Sequence, residues 1–454
     1  MKRLLSRLLA DYGMVLVLVL LCAFFSVVTY SEQAPTGEAA AKQLASVIRQ
    51  QFEKKSGAIS TGFSNAPSVL IVARTQPDDM AFVEKLRAEL RATARWIVFV
   101  RGEPRDVREE LRKIATDGTK LDVIACTQAT AAWLVFSDLK TDFPALGDPQ
   151  VIQPASYKWP NFLKSENLLN IANQIAVIAI VAIGMTLVII TGGIDLSVGS
   201  LIALSAVLAA MFIRDAAGAG HASPTGMTLA CIAAIVLCGA VGAFSGGMIT
   251  VFGIPPFIVT LAMMLVGSGL AYILAKGQSI YQIPDSFTWL GRGADFLNIP
   301  NAVLLMLVLY AKAHVLMSRM KLGRYIYAVG GNREAARLSG VPVRRVLMFA
   351  YIAAGLLAGL GGVIMASQLK SGSPTYGNMY ELYVIAAVVV GGTSLSGGEG
   401  KMLGTLVGAF TIAVIQNGMN LTNVESYTQK VVLGLVILAA VLLDTLRHRG
   451  WRGE

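Results

Sequence analysis

Ionisable side chains are scarce in this sequence. Only 15% of its 454 residues are charged, against roughly 25% in soluble domains. The sequence contains three histidines and four cysteines. Cys231 and Cys238 share one predicted helix, on which they lie about 10 Å apart, too far for a disulfide. The cysteines and histidines therefore indicate neither a disulfide framework nor a metal site.

Apolar residues are correspondingly abundant, and the mean hydropathy is +0.62. Apolar runs of about 17 to 25 residues recur, each long enough to cross a hydrocarbon core about 30 Å thick. We predict about ten membrane spans, near residues 12–30, 168–190, 196–213, 228–251, 256–275, 300–318, 345–368, 379–396, 402–420 and 430–446. The first is longer than a signal-peptide core and lacks an A-x-A cleavage site before Ser31, so we expect a retained helix.

The net charge of +10 is concentrated in three basic clusters. They are Lys2, Arg3 and Arg7 before the first span, Arg319, Lys321, Arg324, Arg333, Arg337, Arg344 and Arg345 in one loop, and Arg447, Arg449 and Arg452 after the last span. With ten spans, all three fall on one side of the membrane, which the positive-inside rule identifies as cytoplasmic. A nucleic-acid surface would need aromatic-interleaved basic residues or a binding motif, and the sequence offers neither.

A polar run, Thr191 to Ser200, separates two apolar segments that both read as membrane-embedded helix. A glycine-broken polar stretch survives in a membrane only inside protein or beside water, and an ionisable group there indicates function. Asp195 either caps the next helix or, with the neighbouring hydroxyls, offers hydrogen bonds to a polyhydroxylated solute. Candidate residues for a translocation path are Thr191, Gly192, Gly193, Asp195, Ser197 and Gly199.

The basic loop 319–345 contains a second candidate site. The stretch from Asn332 to Leu338 predicts a short amphipathic helix, capped by Asn332 and closed by Gly340 and Pro342. One interpretation is a solvated basic loop that simply follows the positive-inside rule. The other is a coupling helix that docks on a cytoplasmic ATPase.

The stretch Gly391 to Lys401 contains LSGGE and ends in Gly-Lys, but it is not a nucleotide site. A phosphate loop would need glycine at position 395 and serine or threonine at position 402, where this chain has Leu395 and Met402. We therefore expect a polar re-entry between spans, no ATP hydrolysis and no cofactor bound by this chain. Small residues spaced by four predict close helix packing, namely Gly242 with Gly246 and Gly355 with Gly359. The stretches 278–295 and 371–376 are expected to face outward.

Residues 31–160 have a different character, with seventeen Lys/Arg, sixteen Asp/Glu and no run long enough to span. The predicted elements are strands at 68–73, 96–100 and 121–126 and helices at 77–93 and 104–116. This βαβαβ order predicts a small parallel sheet with helices on its faces. Because the first span runs outward, we expect the domain to be extracytoplasmic. It resembles the first half of a periplasmic sugar-binding protein, so a docking or spacer domain and a ligand-binding module both stay open.

Three stretches carry a family resemblance. They are GMTLVIITGGIDLSVGS (184–200), LGRYIYAVGGNREAARLSGVPV (322–343) and ELYVIAAVVVGGTSLSGGEGKMLGT (381–405). In this order they resemble the permease subunits of ribose- and xylose-type sugar ABC importers. The predicted fold class is an all-α polytopic membrane protein of about ten transmembrane helices with broken or re-entrant segments and an inserted α/β domain. Its predicted domains are 1–30, 31–160 and 161–454.

The resemblance implies a sugar path driven by alternating access in a homodimer or heterodimer. It implies two ATPase subunits that use ATP, an extracytoplasmic sugar-binding protein as a further partner, and a cytoplasmic membrane location with both termini cytoplasmic. The implied coupling residues are Arg324, Asn332, Arg333, Glu334, Ala335, Arg337, Leu338 and Gly340. Two alternatives are a secondary transporter or channel, which would need intramembrane acids beyond Asp195 and Glu381, and a membrane-anchored receptor or enzyme.

Overall fold

A computed structural model describes the backbone of residues 2–56 and 66–450 and the side chains of residues 13–52 and 66–442. The side chains of the two terminal basic clusters therefore lie outside the described residues. The chain divides into two compact units, one made of Met1–Thr29 with Pro160–Glu454 and the other of Tyr30–Trp159.

The first helix and the elements of the smaller unit follow one another along the chain. Their bounds are α1 (Lys2–Val28), β1 (Tyr30–Gln33), α2 (Gly37–Ser56), β2 (Ser68–Ala73), α3 (Pro77–Leu90), β3 (Trp96–Arg101), α4 (Pro104–Thr116), β4 (Val123–Cys126), α5 (Gln128–Ala131), α6 (Leu139–Asp142), β5 (Gln150–Ile152) and β6 (Tyr157–Pro160). Strands β3, β2, β4 and β5 form a parallel sheet in that order, and β1 pairs with β6.

Strand β2 lies at the centre of this sheet, and all six of its residues are buried. Because side chains alternate across a strand, Ile71 packs with helices α2 and α3, whereas Leu70 and Val72 pack with α4 on the opposite face. Burial on both faces explains why β2 is a continuous apolar run and does not alternate. Helix α2 and strand β5 have no counterpart in the sequence prediction, and α3 ends at Leu90 where the prediction extended it to 93.

The larger unit continues, over the residues that the structure describes, with helices joined by turns and two isolated β-bridges. Their bounds are α7 (Ser165–Ile190), α8 (Val198–Asp215), α9 (Pro224–Val251), α10 (Pro256–Leu274), α11 (Trp289–Arg292), α12 (Asn301–Arg319), α13 (Lys321–Gly331), α14 (Arg333–Leu338), α15 (Val343–Leu369), α16 (Tyr380–Val390), α17 (Met402–Leu421) and α18 (Ser426–Gly450). The helix α13 is a further element that the sequence prediction did not separate from its loop.

Seven helices among the described residues are long and apolar enough to cross a membrane: α7, α8, α9, α10, α12, α15 and α17. The other three predicted spans fall on shorter apolar helices at Gly13–Val28, Tyr380–Val390 and Ser426–Leu442. A polytopic, mainly helical membrane protein is therefore confirmed, whereas the count of ten crossings stays a prediction.

Close packing of small residues organises the larger unit around α15. A Cβ on Gly184 of α7 would lie 2.7 Å from the Cα of Ala354, and a Cβ on Gly355 would clash with the carbonyl oxygen of Cys238 in α9. A Cβ on Gly242 would clash with the carbonyl oxygen of Tyr351. The glycines that the sequence singled out thus let α9 and α15 approach backbone to backbone, which confirms the packing prediction.

Candidate functional site

The polar run begins where α7 ends in a left-handed glycine. The N–H of Gly192 donates to the carbonyl of Ile189 at 2.9 Å, and the N–H of Gly193 donates to that of Val188 at 3.1 Å. These two bonds, with a φ of +78° at Gly192, form a Schellman motif. Glycine is required at 192 because residues with a Cβ are strained in this conformation. The motif turns the chain out of α7 while its last carbonyls stay bonded.

The carboxylate of Asp195 is buried and bonded to its own turn. Its Oδ1 accepts hydrogen bonds from the backbone N–H of Ser197 at 2.9 Å and from the Ser197 hydroxyl at 2.6 Å. Helix α8 begins at Val198 with Ser197 as its N-cap. The interpretation of Asp195 as the cap residue is therefore wrong by two positions. The carboxylate closes a tight turn that precedes the helix, and so it fixes the start of α8 indirectly.

The other polar groups of the run are also used locally. The Thr191 hydroxyl donates to the carbonyl of Val188 at 2.7 Å, and the Thr260 hydroxyl of α10 donates to that of Ile194 at 3.1 Å. Thr191, Asp195 and Ser197 are at most 6% exposed. In this conformation the predicted path residues hold the helix break together, and their hydroxyls are not presented to a solute.

Tyr351 of α15 lies directly against this break, and sequence reasoning did not single it out. A Cβ on Gly193 would clash with the Tyr351 hydroxyl. That hydroxyl is buried and has no hydrogen-bond partner in the part of the chain that the structure describes. The Tyr351 hydroxyl therefore packs directly against the turn that follows α7.

The stretch between α16 and α17 repeats the device that ends α7. The N–H of Gly392, whose φ is +85°, donates to the carbonyl of Val389 at 2.8 Å, and that of Thr393 donates to Val388 at 3.1 Å. The Ser394 hydroxyl then accepts from the N–H of Ser396 at 3.3 Å, as Asp195 does from Ser197. The same type of turn therefore interrupts two helix pairs of the larger unit.

The three family-like stretches meet at the last carbonyl of α7. The N–H of Gly398 donates to the carbonyl of Ile190 at 2.8 Å. A Cβ on Gly330, in α13, would clash with that carbonyl and would lie 2.5 Å from the nitrogen of Gly398. The Tyr327 hydroxyl of α13 donates to the carbonyl of Gly400 at 2.7 Å. Because residues 330 and 398 are glycines, the backbone of α13 and the stretch after α16 can both contact the end of α7.

The predicted helix in the basic loop is present as α14, and both of its ends are closed. The Asn332 side chain accepts from the N–H of Ala335 at 2.9 Å, so the predicted cap is confirmed. Gly340 ends the helix with a φ of +81°. Glu334 pairs with Arg337 at 2.5 Å on the surface, and Leu338 is 79% exposed. The ion pair and a large apolar side chain are thus solvent-exposed on a short helix that is capped at both ends.

Comparison with known proteins identifies the family. Residues 167–441 match the family described as "Branched-chain amino acid transport system / permease component". The chain is 44% identical over 293 residues to the ribose import permease protein RbsC of Escherichia coli K12, covering 64% of this chain and 88% of that protein. It is 45% identical over 287 residues to RbsC of Bacillus subtilis, covering 63% and 86%.

A further relative is the D-allose transport system permease protein AlsC of E. coli K12, which is 34% identical over 285 residues, with 63% of this chain and 85% of that protein covered. The chain belongs to this permease family. As a permease of this kind, it is the multi-pass membrane component of an ABC import system. The match contains the three convergent stretches, and the unit Tyr30–Trp159 lies outside it. No solved structure matches the chain.

Proposed function

We propose that this permease forms the path of an ABC importer for a sugar or a related polyhydroxylated solute. The names of its relatives, which are ribose and allose permeases, support a sugar over the branched-chain amino acids of the family description. The observation that carries the proposal is the meeting of Gly330, Ile190 and Gly398. Through this meeting α13, the first helix of the basic loop, is in backbone contact with the end of α7 and with the stretch that follows α16.

The partners follow from this role. Two ATPase subunits would bind the cytoplasmic loop 319–345, a solute-binding protein would deliver the sugar from outside, and a second permease copy, identical or related, would complete the path. Both termini would be cytoplasmic, and residues 31–160 would be extracytoplasmic. ATP is used by the partner subunits. In this chain we propose no bound cofactor and no covalent chemistry.

Coupling requires a rigid contact with the ATPase, and α14 has the necessary features. Its caps satisfy backbone groups at both ends, and the exposed Leu338 and Ala335 form an apolar surface beside the pair Glu334–Arg337. An exposed leucine on a short helix can lie in an apolar groove of a partner. Movement of α14 would pass to α13 and then to Ile190, because packed elements shift as rigid bodies.

The path itself we assign to the neighbourhood of the two helix breaks. The internal bonds of Thr191, Asp195 and Ser197 support a structural role for these three side chains. Gly192 is exposed, so its backbone would border the solute, whereas Gly199 in the first turn of α8 is buried and would only shape the neighbouring wall.

The test combines capture of partners with uptake. The tagged permease is purified from membranes beside a variant with Glu334→Ala and Arg337→Ala and a second variant, Leu338→Glu. Leu134→Glu, which alters an equally exposed leucine at 85%, serves as the control. We expect the wild type and the control to retain an ATPase and a binding protein and to take up labelled D-ribose, and both loop variants to lose the ATPase.

Two outcomes would contradict the proposal. If excess leucine abolishes ribose uptake, or only labelled leucine is accumulated, the sugar assignment is wrong. If the wild type purifies without an ATPase and accumulates solute when ATP is absent, the chain is a secondary transporter. That alternative would then have to use Asp195 or Glu381 for ion coupling.

A further inference from the structure

Helix α16 by itself is shorter than a membrane span, and an irregular segment leads into it. It has eleven residues, whereas a span needs about 20. The preceding residues 371–379, here called the polar segment, are bounded by left-handed backbone, with φ of +52° at Lys370 and +64° at Met379. The sequence predicts that residues 278–295 and 371–376 face outward, which stays a prediction. Gly372 exchanges two backbone hydrogen bonds with Ile280 of the first stretch, and the polar segment continues from there.

The polar segment descends along the transmembrane helix α8. A Cβ on Gly372 would lie 2.5 Å from the Cβ of Ala210, and a Cβ on Gly377 would lie 2.9 Å from the Cβ of Ile202. Gly377 also lies against the carbonyl of Gly199, which is about 24 Å along the helix axis from Asp215 at the other end of α8.

The end of the segment lies at the level of the middle of the neighbouring helices. Ile202, which contacts Gly377, lies beside Gly361 of α15. A Cβ added to Gly361 would lie 3.7 Å from Ile202 and 2.9 Å from Val181 of α7. Val181 is well inside α7, which ends at Ile190. The polar segment therefore carries non-helical backbone deep into the part of the molecule that crosses the membrane.

Polar side chains at this depth are exposed on the surface of the single chain. Thr375 and Asn378 are exposed, and Glu381 in the first turn of α16 is half-buried. Among the described residues, Asn378 has no hydrogen-bond partner and Glu381 has no ion pair. The Glu381 carboxylate lies directly against Gly199, where an added Cβ would clash with it.

Lipid cannot cover such a surface. Unsatisfied polar groups in hydrocarbon cost several kcal/mol each, and irregular backbone is found at membrane depth only where it is buried in protein or lines water. An intramembrane carboxylate faces a bundle interior or a wet cavity for the same reason. The face formed by Thr375, Asn378 and Glu381 must therefore be covered by protein or border an aqueous space.

We propose that this face contacts the solute inside the membrane, with Glu381 and Asn378 as its hydrogen-bonding groups. A carboxylate accepts bonds from hydroxyl groups, and a carboxamide both donates and accepts. Such a pair recognises a neutral polyhydroxylated molecule. Gly199 leaves room for the Glu381 carboxylate at the start of α8. The inference rests on the proposed sugar import and locates its binding site at the polar segment.

The first experiment measures access of water to the segment. In the assembled transporter, with Cys22 and Cys231 changed to alanine, Asn378→Cys is treated in membranes with a charged, membrane-impermeant thiol reagent. Leu265→Cys on α10, which alters a 67% exposed residue, is the lipid-facing control. We expect labelling at position 378 and none at 265, and we expect excess D-ribose to slow labelling at 378.

The second experiment measures transport. Glu381→Gln keeps the size of the side chain and should reduce D-ribose uptake at least about tenfold, because a site built to bond hydroxyl groups is sensitive to its polar partners. Asp148→Asn, which alters an acid 75% exposed in the smaller unit, should leave uptake unchanged. Co-purification of the ATPase shows that each variant still folds and assembles.

The outcomes separate this inference from the function on which it rests. Absence of ribose uptake by the wild type overturns the proposed function. Uptake by the wild type with an unlabelled position 378 overturns the aqueous face, and labelling that ribose does not slow overturns the solute contact. Normal uptake by Glu381→Gln excludes this carboxylate as a solute ligand.

Discussion

The Tyr327 hydroxyl donates a 2.7 Å hydrogen bond to the carbonyl oxygen of Gly400. This bond ties α13, which opens the basic loop, to the stretch between α16 and α17. Ile190 completes the junction by accepting from the N–H of Gly398. A displacement of α13 therefore acts directly on the ends of both interrupted helices.

Adjacent glycines in α13 provide a matched test of this junction. A Cβ on Gly330 would clash with the carbonyl of Ile190, whereas a Cβ on Gly331 meets nothing within 4 Å. We expect Gly330→Ala to destabilise the permease by about 1–3 kcal/mol through overpacking and to abolish uptake. The free energy of unfolding of Gly331→Ala should be within about 0.5 kcal/mol of that of the wild type. Thermal unfolding in detergent and solute uptake measure the two effects, and equal behaviour of both variants would argue against the junction.

Gly193 and Tyr351 form a pair in which one change should compensate the other. Gly193→Ala introduces a methyl group that collides with the Tyr351 hydroxyl, so we expect reduced stability and uptake. Tyr351→Phe removes a buried hydroxyl without a described partner and should be close to neutral, because no hydrogen bond is lost. The double variant should recover a large part of the loss. A double-mutant cycle on the unfolding temperature measures this coupling, and additive effects would show that the collision is not what destabilises Gly193→Ala.

Much of the fold could be predicted from sequence pattern. The apolar lengths predict α7, α9 and α15 within a few residues, because a span has to match the thickness of a bilayer. In the smaller unit, β2 is buried on both faces and so reads as a continuous apolar run. Helix α2 was missed because its sequence, GEAAAKQLASVIRQQFEKKS, is mostly small and polar, with few large apolar residues to mark its buried face.

The site was predictable in part. Glycine and hydroxyl clusters marked both helix breaks, and Asn332 marked the start of α14, because capping depends on neighbouring residues. The contacts of Gly330 with Ile190 and of Gly377 with Gly199 depend on residues far apart in sequence. Local pattern carries no information about such pairs, so neither the junction nor the course of the polar segment was foreseen.

The thiol of Cys126 in the smaller unit should be unreactive in the folded protein. Burial disfavours the thiolate and raises the pKa of Cys126 from 9.0 to about 12. Alkylation by iodoacetamide should therefore be negligible at pH 8 and become rapid only when denaturant unfolds the unit. Mass spectrometry of labelled peptides measures this.

The same shift has a consequence for stability. The folded state binds the thiol proton of Cys126 more tightly than the unfolded state does. The contribution of this residue to the free energy of unfolding is therefore complete below pH 9 and is lost as the pH rises through about 12. Cys126→Ala should remove this part of the loss of stability at alkaline pH. Rapid alkylation of the native protein at pH 8 would contradict the buried position.

Replacement of Asp195 separates its structural role from a role in the path. Asparagine keeps an oxygen that accepts from the N–H and hydroxyl of Ser197, whereas alanine removes both bonds. If the side chain only closes the turn, Asp195→Asn should retain most uptake and Asp195→Ala should lose about 1–3 kcal/mol of stability. If the charge itself acts on the solute or on coupling, Asp195→Asn should assemble normally with the ATPase and still fail to transport. We expect the first result, because both bonds to Oδ1 lie within the turn and the carboxylate is only 2% exposed.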